Sequence, residues 1–417
     1  MLFFYNFLLA LYHLVIRIFS LFNEKAKRWI DGRKNWQQHI GNTLQKGERR
    51  IWIHCSSLGE FEQARPVIEA LKNQYPTYKT VATFFSPSGY EACKKNNLPD
   101  YIFYLPHDTH RNAQEFIALT EPVLAVFIKY EFWYHFLTRL NAKQIPVILV
   151  SGAFRQGQPF FKWYGGLFRK MLHSFSYFFL QDEISRQMLQ SIGIDKNVVI
   201  SGDTRFDRVT AIASDVKPIP FIDAFKDNSK LLIAGSTWPG DEAILRDCLS
   251  SLPDDWKLVI APHEIDDAHI RKIRQLFDNQ PVLYSELLGG SNANGKRILI
   301  IDNIGMLSRL FAYGDIAFIG GGFQKGGIHN TLEPAVFGLP VIMGPVYHKF
   351  VEAKRLVQQG FAFPVNDATE AISVLDRLIN DNNSRKELNR SIRTFMQQNT
   401  GATSTIMDRI RAEKWLN

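Results

Sequence analysis

The chain is short of the residues that mark several functional classes. Cysteine is scarce: Cys55, Cys93 and Cys248 are the only three in 417 residues. They are odd in number and widely spaced, so they build neither a disulfide framework nor a paired zinc-ligand set, and they read as reduced thiols of a cytoplasmic protein. No Walker-type phosphate loop and no RNA-binding aromatic signature occurs, which weighs against nucleic acid as a partner. His107, His110, His329 and His348 lack metal-ligand spacing, and no Asp-x-Asp pair stands where one would hold a metal and a diphosphate. Internal repeats and low-complexity tracts are missing too. What is present is 46% hydrophobic residues, enough for the cores of two or three domains, and a formal charge of +8. The positive balance suggests an anionic partner, either phospholipid head groups or a phosphorylated substrate.

The amino terminus is the one long apolar run. Residues 1–22 are apolar apart from Asn6, His13 and Arg17, and Lys25, Lys27, Arg28, Arg33 and Lys34 follow at once. As a helix the run would reach about 33 Å, enough to cross a bilayer, although His13 and Arg17 also permit a helix lying in the interface. The basic cluster is expected on the cytoplasmic side. No charge precedes the run and no small-residue cleavage site follows it, so residues 1–35 are expected to be a membrane-anchor helix with a basic segment rather than a cleaved signal. The alternative is a first helix that packs on the protein itself.

From Arg50 onward, short apolar runs alternate with amphipathic stretches, as a parallel sheet with crossover helices requires. Strands are expected at 51–54, 80–84, 101–105, 123–128, 147–150, 177–180 and 198–201, and in a second series at 231–234, 257–260, 282–284, 298–301, 316–319, 341–343 and 361–364. Between the series, residues 211–220 carry two prolines and no apolar period, which suggests a linker. The expected fold is α/β, with two Rossmann-like domains at 36–212 and 213–417 facing across a cleft. The helical segment 384–415 is expected to pack back across both.

Residues 315–345, DIAFIGGGFQKGGIHNTLEPAVFGLPVIMGP, form the most telling stretch. An apolar strand runs into Gly320, Gly321 and Gly322, where a ligand would approach the backbone, and a helix is expected from Asn330 to Gly338. Its free N–H groups favour an anion near Gly326 and Gly327, and Glu333, one turn in, suits the two hydroxyls of a ribose. In the first half, SSLGE at 56–60 places Glu60 after a strand and at the start of a helix. There a carboxylate is expected to stay ionised at neutral pH and to accept a proton from a hydroxyl nucleophile. Spacing alone leaves a capping role equally open. Pro66 is expected within the first turns of that helix, where it is tolerated. The sequence at 86–89, Ser-Pro-Ser-Gly, reads as a turn, with Ser88 a possible acceptor contact. Around 154–170, Arg155, Lys162, Arg169 and Lys170 flank six aromatic residues, either a lipid-phosphate patch or a helix face with snorkelling stems.

SSLGE, GDTRFD at 202–207, GSTWPGDE at 235–242 and the glycine-rich stretch occur in an order that resembles the 3-deoxy-D-manno-octulosonic acid (Kdo) transferases of lipopolysaccharide assembly, from about Arg50 to Val365. The resemblance implies a B-type (GT-B) glycosyltransferase fold, CMP-Kdo as donor, a lipid A precursor as acceptor, no metal cofactor, and residence at the cytoplasmic face of the inner membrane. It makes Glu60 the general base. It places Arg205, Ser236, His263, Gly321, Gly322, Gly326, Gly327, Asn330 and Glu333 on the donor, and Ser57, Gly59, Ser88 and Glu131 on the acceptor. The chain departs from the family where Glu-Thr-Glu-x-Trp-Pro becomes Lys129-Tyr130-Glu131-Phe132-Trp133-Tyr134, where Arg205 replaces a lysine, and where Ala-Pro-Arg-His becomes Ala261-Pro262-His263-Glu264. Two other readings remain: a UDP-sugar transferase or epimerase of the same fold, and a catalytically silent membrane scaffold.

Overall fold

A computed structural model describes residues 1–417. The chain forms two compact units, one of Met1–Arg208 with Asn399–Asn417 and one of Val209–Gln398. The first holds β1 (Arg49–Cys55), β2 (Tyr78–Phe84), β3 (Tyr101–Tyr104), β4 (Pro122–Ile128), β5 (Val147–Gly152), β6 (Tyr177–Leu180) and β7 (Val198–Ile200). The second holds β8 (Lys230–Thr237), β9 (Trp256–Pro262), β10 (Val282–Leu283), β11 (Ile298–Ile300), β12 (Ile316–Ile319), β13 (Val341–Met343) and β14 (Ala362–Pro364). Each set is one parallel seven-stranded sheet, ordered β3-β2-β1-β4-β5-β6-β7 and β10-β11-β9-β8-β12-β13-β14. Every expected strand is present.

The strands are apolar along most of their length because successive residues feed cores on opposite faces. On β4, Ala125 and Phe127 join one cluster with Trp52, Leu149 and Phe178. Leu124, Val126 and Ile128 join another with Ile51, Ile53 and Phe179. A parallel sheet covered on both sides needs this pattern. Strand order reverses between β1 and β4 in the first sheet and between β8 and β12 in the second, and such switch points are where open α/β sheets bind ligands.

Four helices frame the first site: α1 (Leu2–Phe19), α2 (Glu24–Asp31), α3 (Trp36–Thr43) and α4 (Leu58–Gln74). Nothing in α1 is buried, and Phe3, Phe4, Phe7, Leu8, Leu14, Ile18 and Phe19 are each more than half exposed. One face nevertheless rests on the first unit. The Tyr5 hydroxyl donates to Asp108 at 2.6 Å, Asn6 Oδ1 lies 2.7 Å from His135 Nε2, and the His13 and His107 rings are 4.0 Å apart. Arg33 leaves the basic cluster in which the sequence places it. It turns inward, stacks 4.1 Å from the Trp29 ring and donates to the carbonyls of Trp29, Phe85 and Leu105. The aromatic stretch at 154–170 divides as well: Phe154 and Phe160 are buried, while Trp163 is 92% exposed.

Other differences from the sequence reading have plain causes. Pro66 sits in the third turn of α4, not its first turns, inside a helix that continues on both sides of it. The helix Thr204–Ser214 runs into the stretch read as linker, because the prolines that stop a helix come only at Pro218 and Pro220. The last helix, Ala402–Ala412, lies in the first unit rather than the second. It buries Ile406, Met407 and Ile410 there, and Asp207 grips its start by accepting from the N–H groups of Gly401 and Thr403 and from the Thr403 hydroxyl, each at 2.6 Å.

Candidate active site at the sheet switch points

In the first unit β1 ends at Cys55, and Ser57 caps α4 by accepting the Glu60 N–H at 3.4 Å. Glu60 Oε2 reaches back to the N–H of Ser56, the capping contact that spacing left open. Across the switch point, β4 ends and Lys129 takes a left-handed conformation with φ 64°, which turns the chain toward Glu131. Glu131 is buried. Its Oε2 accepts from Trp133 Nε1 at 2.9 Å and lies 3.1 Å from His54 Nε2. His54, fully buried on β1, has its Nδ1 2.9 Å from Thr83 Oγ1, which accepts from Trp52 Nε1 at 2.8 Å. An indole N–H can only donate, so the Thr83 oxygen accepts from Trp52, and the two ring nitrogens of His54 bridge Thr83 to Glu131. This row of hydrogen bonds ties Glu131 to two strands, β1 and β2. Sequence reasoning missed His54 and Thr83. Their signal was a pair of polar residues in the otherwise apolar second halves of β1 and β2.

Burial, and then the Glu131 charge, push the Glu60 carboxyl up to about 8, while the Ser56 N–H and Lys129 pull it down without prevailing. The sequence-based expectation of an ionised Glu60 at neutral pH is therefore overturned, because desolvation and a second carboxylate outweigh the start of a helix. A group titrating near working pH is well matched to general base catalysis. Gly59 is exposed, and Ser57 is half-buried. Ser88 is exposed in the helix Pro87–Cys93, where a turn was expected. Ser86 caps that helix and Pro87 fits its first position. Arg205 belongs to the first unit, whereas the other eight donor-side residues belong to the second. Its guanidinium donates to Asp203 at 3.0 and 2.6 Å. Burial alone would raise the Asp203 carboxyl, but Arg205 and Gln63 overcome it and hold the group below the usual range.

In the second unit β8 bends at Ser236, a non-glycine residue at φ 54°, where its register with β9 slips. Backbone of this kind concentrates at functional sites. Ser236 lines a cavity of about 330 Å³ with Ser308, Phe311, His329, Asn330 and Glu333. Asn330 Nδ2 donates to Glu333 Oε1 at 3.0 Å, and Asn330 Oδ1 takes the Leu332 N–H at 3.1 Å. The helix expected from Asn330 to Gly338 is the shorter Leu332–Val336, closed by the left-handed Gly338 at φ 81°. Its dipole is correspondingly slight.

The glycines do other work than expected. A Cβ on Gly320 would stand 2.3 Å from the Ser236 carbonyl oxygen, and one on Gly322 would stand 2.5 Å from the Gly344 nitrogen. They admit the protein's own strand ends rather than a ligand. Gly321, at φ 87°, gives its N–H to the buried Asp241 at 2.8 Å. Gly327 is left-handed at φ 86°, and the space around Gly326 is open. His263 stacks between Trp238 at 4.7 Å and His329 at 4.5 Å. Trp238 Nε1 donates to His329 Nε2 at 3.2 Å. Burial and then His263 lower the His329 pKa to about 4, so the ring is neutral with its hydrogen on Nδ1. Ligand atoms of Glu264, Asp266 and His269 lie within 4.8 Å of one another, but Asp266 caps a helix and His269 pairs with Glu242 at 3.0 Å.

The family model for 3-deoxy-D-manno-octulosonic-acid transferase matches residues 34–208, the part that contains Glu60 and Glu131. A Haemophilus influenzae protein named 3-deoxy-D-manno-octulosonic acid transferase is 26% identical over 98% of this chain and 98% of its own length. Over residues 34–208, and at 26% identity along nearly the whole chain, the sequence is similar to the Kdo transferases. Members of that family are glycosyltransferases. A Fusobacterium nucleatum protein named bifunctional glycosyltransferase/methyltransferase is 28% identical over 90% of this chain, which spans 58% of that longer protein. Among solved structures, UDP-GlcNAc 2-epimerase from Neisseria meningitidis superposes with a TM-score of 0.61 at 16% identity, over 87% of this chain and 100% of that one. That likeness is one of fold, the GT-B type expected for the family.

Proposed function

We propose that the protein is an inverting glycosyltransferase that moves Kdo from CMP-Kdo to a lipid A precursor, lipid IVA, in lipopolysaccharide core assembly, with Glu60 as general base. One observation carries the reading: within the family match, a switch point sets the half-buried Glu60 carboxyl near Glu131, where burial and that second charge push its pKa up to about 8. In the reaction an acceptor hydroxyl yields its proton to Glu60 as its oxygen attacks the anomeric carbon of Kdo. The bond from that carbon to the CMP phosphate breaks, the electron pair leaves with CMP, and configuration inverts. Glu60 then returns its proton to solvent.

On this reading Glu333 holds the ribose hydroxyls and Asn330 orients the donor, so their mutual hydrogen bond is exchanged for bonds to the nucleotide. Ser236 and His263 border the base and sugar, and backbone at Gly326 and Gly327 meets the phosphate. Arg205, steadied by Asp203, adds positive charge against the leaving CMP. No metal ion is assigned a step. Ser57, Gly59, Ser88 and Glu131 receive the acceptor, and the row through His54 keeps Glu131 in place. The apolar face of α1 holds the enzyme at the cytoplasmic surface of the inner membrane, and no nucleic acid takes part.

The test is mass spectrometry of lipid IVA after incubation of the purified protein with CMP-Kdo. The expected result is a mass gain of whole Kdo units with release of CMP. Unchanged lipid from a folded sample rejects the proposal, and release of UDP from a UDP-sugar in a donor screen would move the assignment to the UDP-sugar enzymes. A Glu60→Ala variant that binds donor but does not transfer excludes a silent scaffold.

A further inference from the structure

A hollow in the first unit lies beneath α1, and the proposed chemistry does not use it. It measures about 760 Å³, within the range of about 300–1,000 Å³ that small-molecule sites occupy, and is walled by Leu9, Ala10, Tyr12, Phe85, His107 and Trp133. α1 bridges it. The helix touches the unit through Tyr5 and Asn6 on one side and through His13 on the other, and Leu9 and Ala10 span the gap. A second hollow of about 380 Å³, walled by Ile16, Trp29 and Pro87, shares Tyr12 and Phe85 with the first. The two therefore adjoin along the inner face of α1.

The walls define the occupant. Several polar groups at the hollow are already engaged: Asp108 accepts from Tyr5, His135 and Phe136, His135 pairs with Asn6, and Asn112 donates to the His107 carbonyl at 3.0 Å. The His13 and His107 rings pack against each other, His107 and Tyr12 against Trp29, and Tyr12 against Phe85, which leaves few hydrogen-bonding groups for a peptide backbone or for the many hydroxyls of a nucleotide or sugar. A helix, about 10 Å across, cannot pass beneath a roof tethered on both sides. A single flexible hydrocarbon chain needs neither hydrogen bonds nor width. One end of the hollow meets the catalytic groups, since the Trp133 indole in its wall donates to Glu131, and the Phe85 ring stands 5.0 Å from Trp133.

We infer that the hollow beneath α1 binds one hydrocarbon chain and that it takes an acyl chain of the lipid acceptor. This rests on the function proposed above and names how its acceptor is held. The chain places the sugar that carries it beside Glu60 and Glu131, and the bare outer face of α1 keeps the mouth of the hollow at the lipid surface.

The test uses the full-length protein in detergent with a diazirine-bearing stearate as probe, followed by peptide mass mapping. Adducts on Leu9, Ala10, Phe85 or Trp133 are expected in addition to those on the outer face of α1. Adducts confined to Phe3, Phe7, Leu14 and Ile18 overturn the inference. Ala10→Phe fills the hollow and should remove the inner adducts while keeping the outer ones. With CMP-Kdo saturating, this variant should raise KM for lipid IVA at least tenfold and leave KM for the fully deacylated, phosphorylated glucosamine disaccharide unchanged. Equal KM values for the two acceptors in the unmodified protein also overturn it. If the unmodified protein transfers to neither acceptor, the proposed function falls, and the cross-linking still decides the hollow by itself.

Discussion

The two sheets put their switch points to opposite uses. Between β1 and β4 the protein sets two carboxyl groups, a histidine and two tryptophans, and buries them until one acid titrates far from its ordinary value. Between β8 and β12 it sets glycines, a stacked row of rings and a cavity whose histidine is driven neutral. On the proposed reading the first site moves a proton, and the second serves shape and hydrogen bonding. A fold repeated twice in one chain thus allows reactivity and recognition to be tuned separately, because burial that suits a base would hinder the binding of an anion.

The largest test of this division is Glu60→Ala, expected to lower transfer by about 10²–10⁴-fold while CMP-Kdo binding, followed by calorimetry, stays as it was. A loss below tenfold would mean that reactivity does not reside in the first unit. Next is Glu333→Ala, which should weaken donor binding by about 10–100-fold, the scale of a lost hydrogen bond to a charged group, and should move donor KM more than kcat. A reversed split would give the second unit a chemical role.

The pH profile sharpens the contrast further. Only ionised Glu60 accepts a proton, so the rate should climb from pH 6, reach half its limit at about 8 and level off roughly one unit higher. Lys129→Glu replaces a charge that lowers the Glu60 pKa with one that raises it, and should move the midpoint upward by about one unit. An unmoved midpoint assigns the titration to another group.

The smallest effect is on stability. A carboxyl whose pKa is raised by folding binds more protons folded than unfolded, so stability falls as pH rises from the unfolded value toward about 8. Glu60→Gln escapes that loss and should melt about 2–4 °C higher at pH 8, with the gain shrinking toward pH 5. Equal melting curves at both pH values would show that Glu60 is not strained by burial.

Strands were legible because a sheet covered on both faces needs uninterrupted apolar runs, and β1 through β14 supply them. Glu60 was legible as a residue and not as an acid. Its titration depends on Glu131, seventy-one positions away (131 − 60), and no local pattern reports that distance. The glycines after β12 show the same limit. Their need for small size was plain, but that Ser236 and Gly344 were the crowding neighbours required the sheet to be assembled. Arg33 looked like one more surface cation until Trp29, Phe85 and Tyr104 surrounded it.

The grip of Asp207 on the helix Ala402–Ala412 has a consequence for how the molecule is made. The first half to emerge from the ribosome lacks a piece of its own interior, which arrives only after the second unit has been made. The later half, contiguous from Val209 to Gln398, can close on itself earlier. A stop codon near position 400 would therefore leave every reactive side chain encoded and still open the interior that supports Glu60.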